Sequence, residues 1–339
     1  MKILAIESSC DETAASVVEN GKVCSNIIYS QTEHNKYGGV IPEIASRAHL
    51  RSINTVVTEA LAKANCDLKE LQAIAVTVAP GLSGSLLVGA NFAKGLALRL
   101  NIPVIPINHI EGHLFSGFIT SDTLEFPFIS LVVSGGHTSL FYVSSFSEYS
   151  ILGSTRDDAA GEAFDKTAKM LGLGYPGGPL MDKIAMSGNP NYYQFPRALN
   201  SNDSLVFSYS GLKTSVRVFL QKEFPNGVPE DKLPDICASI QEAIIDPLIK
   251  KSLYAVKKYS VNHLVVAGGV SANSRLRKRL LNEAKKIHII IPDLEYCIDN
   301  AAMIGFLAEK KISANDFYQN MELNFTVNSS SLRASKKEN

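Results

Sequence analysis

The chain has 339 residues, 45% hydrophobic and 19% charged, and its 33 basic residues balance 33 acidic ones. That length exceeds one ordinary core and predicts two domains, while zero net charge excludes a globally basic surface and leaves nucleic-acid affinity only a local patch. Five scattered cysteines with no C-x-x-C pair exclude a disulfide framework and a zinc ribbon, and no apolar run approaches the roughly 18 residues of a membrane helix. With an N-terminus too quickly acidic for a signal peptide, these features predict a cytoplasmic protein with reduced thiols.

In chain order, residues 2–8 and 23–31 read as apolar strands, and a helix follows Pro42, with proline near its first turn as helix starts prefer. A buried-type strand at 73–80 leads through a glycine turn into a helix from Ser83 to Leu100, then a short strand at 104–108. After Pro127 the pattern starts again. I-S-L-V-V-S-G-G, like I-L-A-I-E-S-S, runs into a small polar turn and a second strand with threonine close behind, which predicts a diverged repeat of two α/β lobes. The second lobe continues with a helix at 161–172, a glycine loop at 174–178, a long helix near 235–259, a strand at 263–269 and a basic helix at 274–286. A closing helix at 299–311 is expected to pack back on the first lobe. The assigned bounds are 1–118 with 299–325 for the first lobe, 119–298 for the second, and 326–339 for a flexible tail.

The most informative motif is N-H-I-E-G-H. Residues four apart on a helix are separated by about 400° of rotation, so His109 and His113 share one face. They would open a helix at a strand's carboxyl end, where α/β folds gather ligand sites; a plain polar helix face is the alternative. Asp299 begins the final helix, an ordinary place for a capping carboxylate, yet it is also placed to reach those histidines. Two histidines and one carboxylate leave open positions suited to Fe(II) and possible for Zn(II). A peptidase of the H-E-x-x-H kind is disfavoured, because Glu111 lies two residues from each histidine, about 200° around the helix from both.

Four further stretches admit a ligand role beside a structural one. The turn Val132-Val133-Ser134-Gly135-Gly136 could cradle a phosphate or simply be tight. Asn273 and Ser274 after Gly268-Gly269 are good N-caps, or a nucleotide seat at a helix N-terminus. In G-Y-P-G-G-P, Gly178 would admit a flat ligand, with Asp182 one turn beyond to accept hydroxyls; Asp165 sits unfavourably inside a helix unless partnered. Arg275, Arg277, Lys278 and Arg279 form a basic stripe that is either a solvated face or the local RNA footprint.

I-E-S-S-C-D-E-T, N-H-I-E-G-H, L-V-V-S-G-G-H-T, G-E-A-F-D-K, Y-P-G-G-P, G-G-V-S-A-N and D-N-A-A-M-I, in this order, resemble the bacterial TsaD family, which has relatives in archaea and eukaryotes. The resemblance implies a two-lobed actin-like ATPase fold (the ASKHA class) with duplicated, hairpin-led lobes. It implies transfer of a threonylcarbamoyl group from threonylcarbamoyl-AMP to the N6 amine of the adenosine beside the anticodon, in tRNAs reading ANN codons. By motif, it assigns His109, His113 and Asp299 to a divalent metal, Fe(2+) ahead of Zn(2+). It assigns Val132, Val133, Ser134, Gly135, Gly136, Asp165, Gly178, Asp182 and Asn273 to substrate. A paralogous TsaB-like dimerisation subunit and a small TsaE-like P-loop ATPase are the implied partners, and no membrane is involved. No general base is assigned, although Asp11 and His137 are candidates. The competing readings are a phosphotransferase of the same fold, which would turn over ATP without tRNA, and a nucleotide-gated binding module with no chemical product.

Overall fold

A computed structural model describes residues 1–199, 204–284, 286–314 and 323–330. The chain divides into two compact units, Met1–Asp122 with Pro292–Asn339, and Thr123–Ile291. The changeovers therefore fall at 122/123 and 291/292, where the sequence reading placed them at 118/119 and 298/299.

Unit 1 is built on strands β1 (Lys2–Glu7), β2 (Glu12–Glu19), β3 (Lys22–Ser30), β4 (Ala73–Ala79) and β5 (Val104–Asn108). They lie in the order β3-β2-β1-β4-β5, with β1 and β2 forming an antiparallel hairpin, β3 extending it, and β4 and β5 running parallel to β1. β1 is buried from Ile3 onward, so it reads as a continuous apolar run rather than an alternating one. Helices α1 (Pro42–Lys63) and α2 (Ser83–Leu100) cover one core through Ile53, Val57, Ala93 and Ala97 against Leu4, Ile6, Ile74 and Val76. α3 (His109–Phe115) follows β5 directly, and α4 (Gly117–Thr120) is a single turn after it.

Unit 2 repeats the order. β6 (Phe128–Val133), β7 (Thr138–Val143) and β8 (Tyr149–Ser154) form the antiparallel part. Then come α5 (Ala160–Met170), α6 (Gly177–Ala185), α7 (Ser210–Glu223) and α8 (Leu233–Lys258), followed by parallel β9 (His263–Ala267), helix α9 (Ser274–Glu283) and β10 (His288–Ile290). The sheet order β10-β9-β6-β7-β8 is that of unit 1 with each strand replaced by its successor five places on. The expected repeat is thus present in topology. Its core gathers Ile129, Leu131, Phe164, Ile240, Ile244 and Leu264 around α8.

Unit 1 closes with α10 (Leu294–Cys297) and α11 (Ala301–Ala314). α11 packs on β1, β2 and α3. The approach is tight, since a Cβ on Gly305 would lie 2.8 Å from Val18 and 3.0 Å from Ala5. The expected closing segment 299–325 is regular only to Ala314, and residues 315–322, like 331–339 of the expected tail, lie outside the described residues. The sequence pattern predicts no element at β8, α7, β10 or α10, and α6 starts inside the expected glycine loop 174–178. No helix among the described residues is long and apolar enough to cross a membrane.

Candidate functional site

The histidine pair is positioned by a cap. Asn108, the last residue of β5, accepts from the N–H groups of Ile110 (2.8 Å) and Glu111 (3.3 Å), which starts α3 at the strand's end. His109 and His113 then meet edge to face, one turn apart, with ring centroids 4.8 Å apart and planes at 89°. The carboxylate arrives from the other end of the chain. Asn300 caps α11, its Oδ1 accepting from Met303 N–H at 3.0 Å and its amide donating to the carbonyls of Ile298 and Tyr296. The capping role open to Asp299 in sequence belongs to its neighbour, and Asp299 turns to the imidazoles instead.

Asp299 Oδ1 lies 3.0 Å from His113 Nε2 and 3.3 Å from His109 Nε2. One donor from each of the three residues falls within 4.8 Å of the others, a set able to hold one metal ion. Both histidines are buried, whereas the Asp299 side chain is 20% exposed, so access is on the carboxylate's side. Glu111 takes no part: its Oε2 accepts from Lys311 Nζ at 2.5 Å.

A fourth residue, which the sequence reading did not single out, completes the cluster. Glu7 ends β1 fully buried. Its Oε2 accepts from Thr77 Oγ1 at 2.5 Å and lies 3.0 Å from His109 Nδ1, while Oε1 accepts from Ser9 N–H at 2.6 Å. The available signal was an acid closing an otherwise apolar strand, since a buried charge requires partners. Burial pushes the Glu7 and Asp299 carboxyls up, yet the His109 charge and its hydrogen bonds hold Glu7 below and Asp299 well below the usual range. Burial likewise lowers His109, but Asp299 and Glu7 together raise it well above an ordinary imidazole. Burial dominates at His113 and lowers it. One buried and one partly exposed carboxylate therefore face two buried imidazoles, a charge pattern that suits a dication, and the residues present fit a metal.

The β1–β2 turn that carries Asp11 is held firmly. His49 Nε2 lies 3.0 Å from the Cys10 carbonyl, Thr13 Oγ1 lies 2.7 Å from His49 Nδ1, and Leu82 N–H donates to Ser9 O at 2.7 Å.

In unit 2 the nine other residues divide. Val132 and Val133 are strand core, and the turn behind them closes through Ser134 N–H to His137 O at 2.8 Å and His137 N–H to Ser134 Oγ at 3.2 Å. At Gly135 and Gly136 a Cβ would meet nothing within 4 Å, so packing does not require glycine there. Gly161, opening α5, does require it: a Cβ would sit 2.6 Å from Ser134 O. Asp165 is no simple surface ion: its Oδ1 accepts from the N–H groups of Gly177 (2.8 Å) and Gly178 (3.4 Å), tying α5 to the start of α6. Asp182 on α6 accepts from Ser274 N–H and Oγ, both at 2.9 Å. Asn273 caps α9 through Leu276 N–H (2.9 Å), and its amide donates to Gln241 Oε1 at 2.7 Å. These bonds tie the middle of α5 to the start of α6, and the middle of α6 to the start of α9. Gly268, at φ +90° with its Cβ position 2.5 Å from Val133 O, seats the α9 loop on β6.

The basic stripe is mostly turned inward. Arg275 pairs with Glu242 at 2.9 Å, Arg279 with Glu242, Asp246 and Glu283, and Arg277 Nε donates to Ser271 O at 2.8 Å. Arg275 and Arg279 are thus matched by carboxylates, which weakens the stripe as an RNA footprint, while Lys278 is exposed.

A topology of this kind, two units each with a hairpin-led, half-parallel sheet, defines a protein of the actin-like ATPase fold. Solved structures bear this out at the level of fold. Component A of (R)-2-hydroxyglutaryl-CoA dehydratase from Acidaminococcus fermentans aligns with a TM-score of 0.57 at 14% identity, covering 92% of this chain and 99% of that one. HypF from T. kodakarensis aligns with a TM-score of 0.61 at 14% identity, covering 92% of this chain and 48% of that one. The sequence is more specific. A family model described as TsaD, tRNA N6-adenosine threonylcarbamoyltransferase, matches residues 22–306. Relatives of that name include one from Kosmotoga olearia, 49% identical over 320 residues (94% of this chain and 95% of the relative). Another, from Clostridium botulinum strain Hall, is 52% identical over 312 residues (91% and 92%). The chain belongs to the TsaD family and is a transferase that acts in tRNA modification.

Proposed function

We propose that the chain transfers the threonylcarbamoyl group of threonylcarbamoyl-AMP to the N6 amine of the adenosine beside the anticodon in tRNAs that read ANN codons, releasing AMP. The observation that carries this reading is the convergence of His109 Nε2, His113 Nε2 and Asp299 Oδ1 on one point, with family membership supplying the chemistry. A divalent ion held by these three, Fe(2+) ahead of Zn(2+), supplies Lewis acidity toward the oxygens of the mixed anhydride.

The remaining work falls to the chain's own residues. The open backbone at Gly135 and Gly136 gives the donor's phosphate an approach to N–H groups at the end of β6, behind Val132, Val133 and Ser134. Gly178, whose added Cβ would meet only Phe164 at 3.8 Å, leaves room for a flat base or ribose. Asp165 fixes the start of α6, Asp182 and Asn273 fix the start of α9, and these side chains keep spare acceptor capacity for hydroxyls. In the transfer the N6 nitrogen bonds to the carbamoyl carbon, the carbon–oxygen bond to the phosphate breaks with AMP taking the electron pair, and the amine loses one proton. An aromatic amine is a poor nucleophile, so positioning supplies most of the acceleration. Asp11 and His137, one in each hairpin turn, are the candidates to take that proton. TsaB-like and TsaE-like subunits are the proposed partners, and the cytoplasm the proposed compartment.

The test is mass spectrometry of tRNA nucleosides from cells depleted of the protein. Loss of threonylcarbamoyladenosine, restored by wild type and not by His113→Ala, is the expected result. Persistence of the nucleoside in the absence of a second copy overturns the reading.

A further inference from the structure

We propose that Glu7 is the positioning residue of the metal centre: it keeps a proton on His109 Nδ1, so that Nε2, which faces His113 and Asp299, is the nitrogen left to the ion. The inference rests on the metal reading of the preceding section. Its basis is the geometry around one buried carboxylate. Glu7 is bonded on both oxygens, to Ser9 N–H at 2.6 Å on Oε1 and to Thr77 Oγ1 at 2.5 Å on Oε2, so it cannot rotate without breaking a bond. The same Oε2 lies 3.0 Å from His109 Nδ1, and an ionised carboxylate only accepts, so that nitrogen must be the donor. Ser9 Oγ, 3.2 Å from the same nitrogen, adds a second acceptor. His113 has no such anchor. Its Nδ1 is buried with no hydrogen-bond partner among the described residues, and its Nε2 faces Asp299 at 3.0 Å. The two imidazoles are therefore unequal, His109 pre-set and His113 adjustable.

The arrangement makes Glu7→Gln a sharp test, because the amide must place an NH2 where one oxygen was. Ser9 N–H can only donate, so the amide oxygen is held at the Oε1 seat. The NH2 then faces Thr77 and His109. Thr77 can rotate its hydroxyl to accept, and His109 can accept only by moving its proton to Nε2, the nitrogen needed for the ion. The full-length protein, stripped of metal, is titrated with Zn(2+) by calorimetry, with thermal unfolding recorded for each variant. The expected result is one ion per wild-type chain, none in His113→Ala, and affinity weakened roughly 10–100-fold in Glu7→Gln with the stoichiometry kept, the range typical of outer-shell partners. Wild-type affinity in a folded Glu7→Gln overturns the positioning role and leaves the metal site standing. Equal uptake by wild type and His113→Ala overturns the metal reading and this inference with it. Should Glu7→Gln fail to fold, Thr77→Val decides: it keeps the charge but removes the hydroxyl that fixes Oε2 against His109, so several-fold weaker Zn(2+) binding supports the role and unchanged binding overturns it.

Discussion

Units 1 and 2 share one sheet order and differ in what stands at the ends of matching strands. β1 and β6 are both six-residue, buried central strands opening a hairpin, yet the last residue is Glu7 in one and Val133 in the other. After β5, unit 1 continues into a helix with two buried histidines; in unit 2, the last parallel strand, β10, leads on to Pro292 and the return to unit 1. A duplicated scaffold has thus been loaded with buried charge on one side and with glycine turns and capped helix starts on the other. The lesson is that topology sets where ligands can be gathered, and a few strand-end residues set which chemistry is gathered there.

The comparison breaks most readily in unit 1. His113→Ala removes one of three converging donors, and metal affinity should fall by more than the roughly 10–100-fold expected of an outer-shell change, measured as metal retained after gel filtration. Retention at the wild-type level would mean that the charge cluster serves folding alone. Next in size is Gly268→Ala in unit 2. With φ at +90° and the Cβ position 2.5 Å from Val133 O, the substitution should cost about 2–4 kcal/mol, read as a lower urea midpoint. Because every metal donor belongs to unit 1, metal uptake per folded chain should not change.

Smaller effects sharpen the contrast. Asn273→Ala removes the α9 cap and the bond to Gln241, a loss of roughly 1–2 kcal/mol; if the residue also serves the donor substrate, KM for that substrate rises beyond what the stability loss explains. Acid should weaken unit 2 through Asp158. Burial raises its carboxyl, but Lys166 at 2.8 Å and Lys213 at 2.9 Å hold it below the ordinary value. A folded pKa below the unfolded one gives stability that is complete above the unfolded value of about 3.9 and is lost as pH falls through the folded value. Asp158→Asn should therefore lower stability by about 1 kcal/mol near neutrality and flatten its acid dependence, as followed by circular dichroism.

Much of this was legible in the chain. The start of the helix at Pro42, the helix from Ser83 to Leu100 and the strand–helix junction at Asn108-His109 stand where local pattern placed them, since proline, caps and apolar periodicity act over a few residues. The spacing of His109 and His113 already put both rings on one face, and the restart after Pro127 announced the second sheet. β8 was not legible, being short with one buried residue, whereas α7 carries Leu212, Val216 and Phe219 on one face, a pattern the sequence reading passed over.

The polar residues show the boundary most clearly. By itself the sequence determined the residue types, the helical offset of the histidines and the set of carboxylates and amides able to cap or to bind. Only the tertiary structure decided among them: Asn300 rather than Asp299 caps the last helix, Asp165 and Asp182 hold loop N–H groups, and Arg275, Arg277 and Arg279 turn inward. It alone brought Glu7 to His109, 102 residues away, and Asp299 to His113, 186 residues away. The physical reason is range. Caps and helical faces follow from bonds a few residues long, whereas the partner of a buried charge is chosen by whichever strand end or helix start the finished sheet sets beside it.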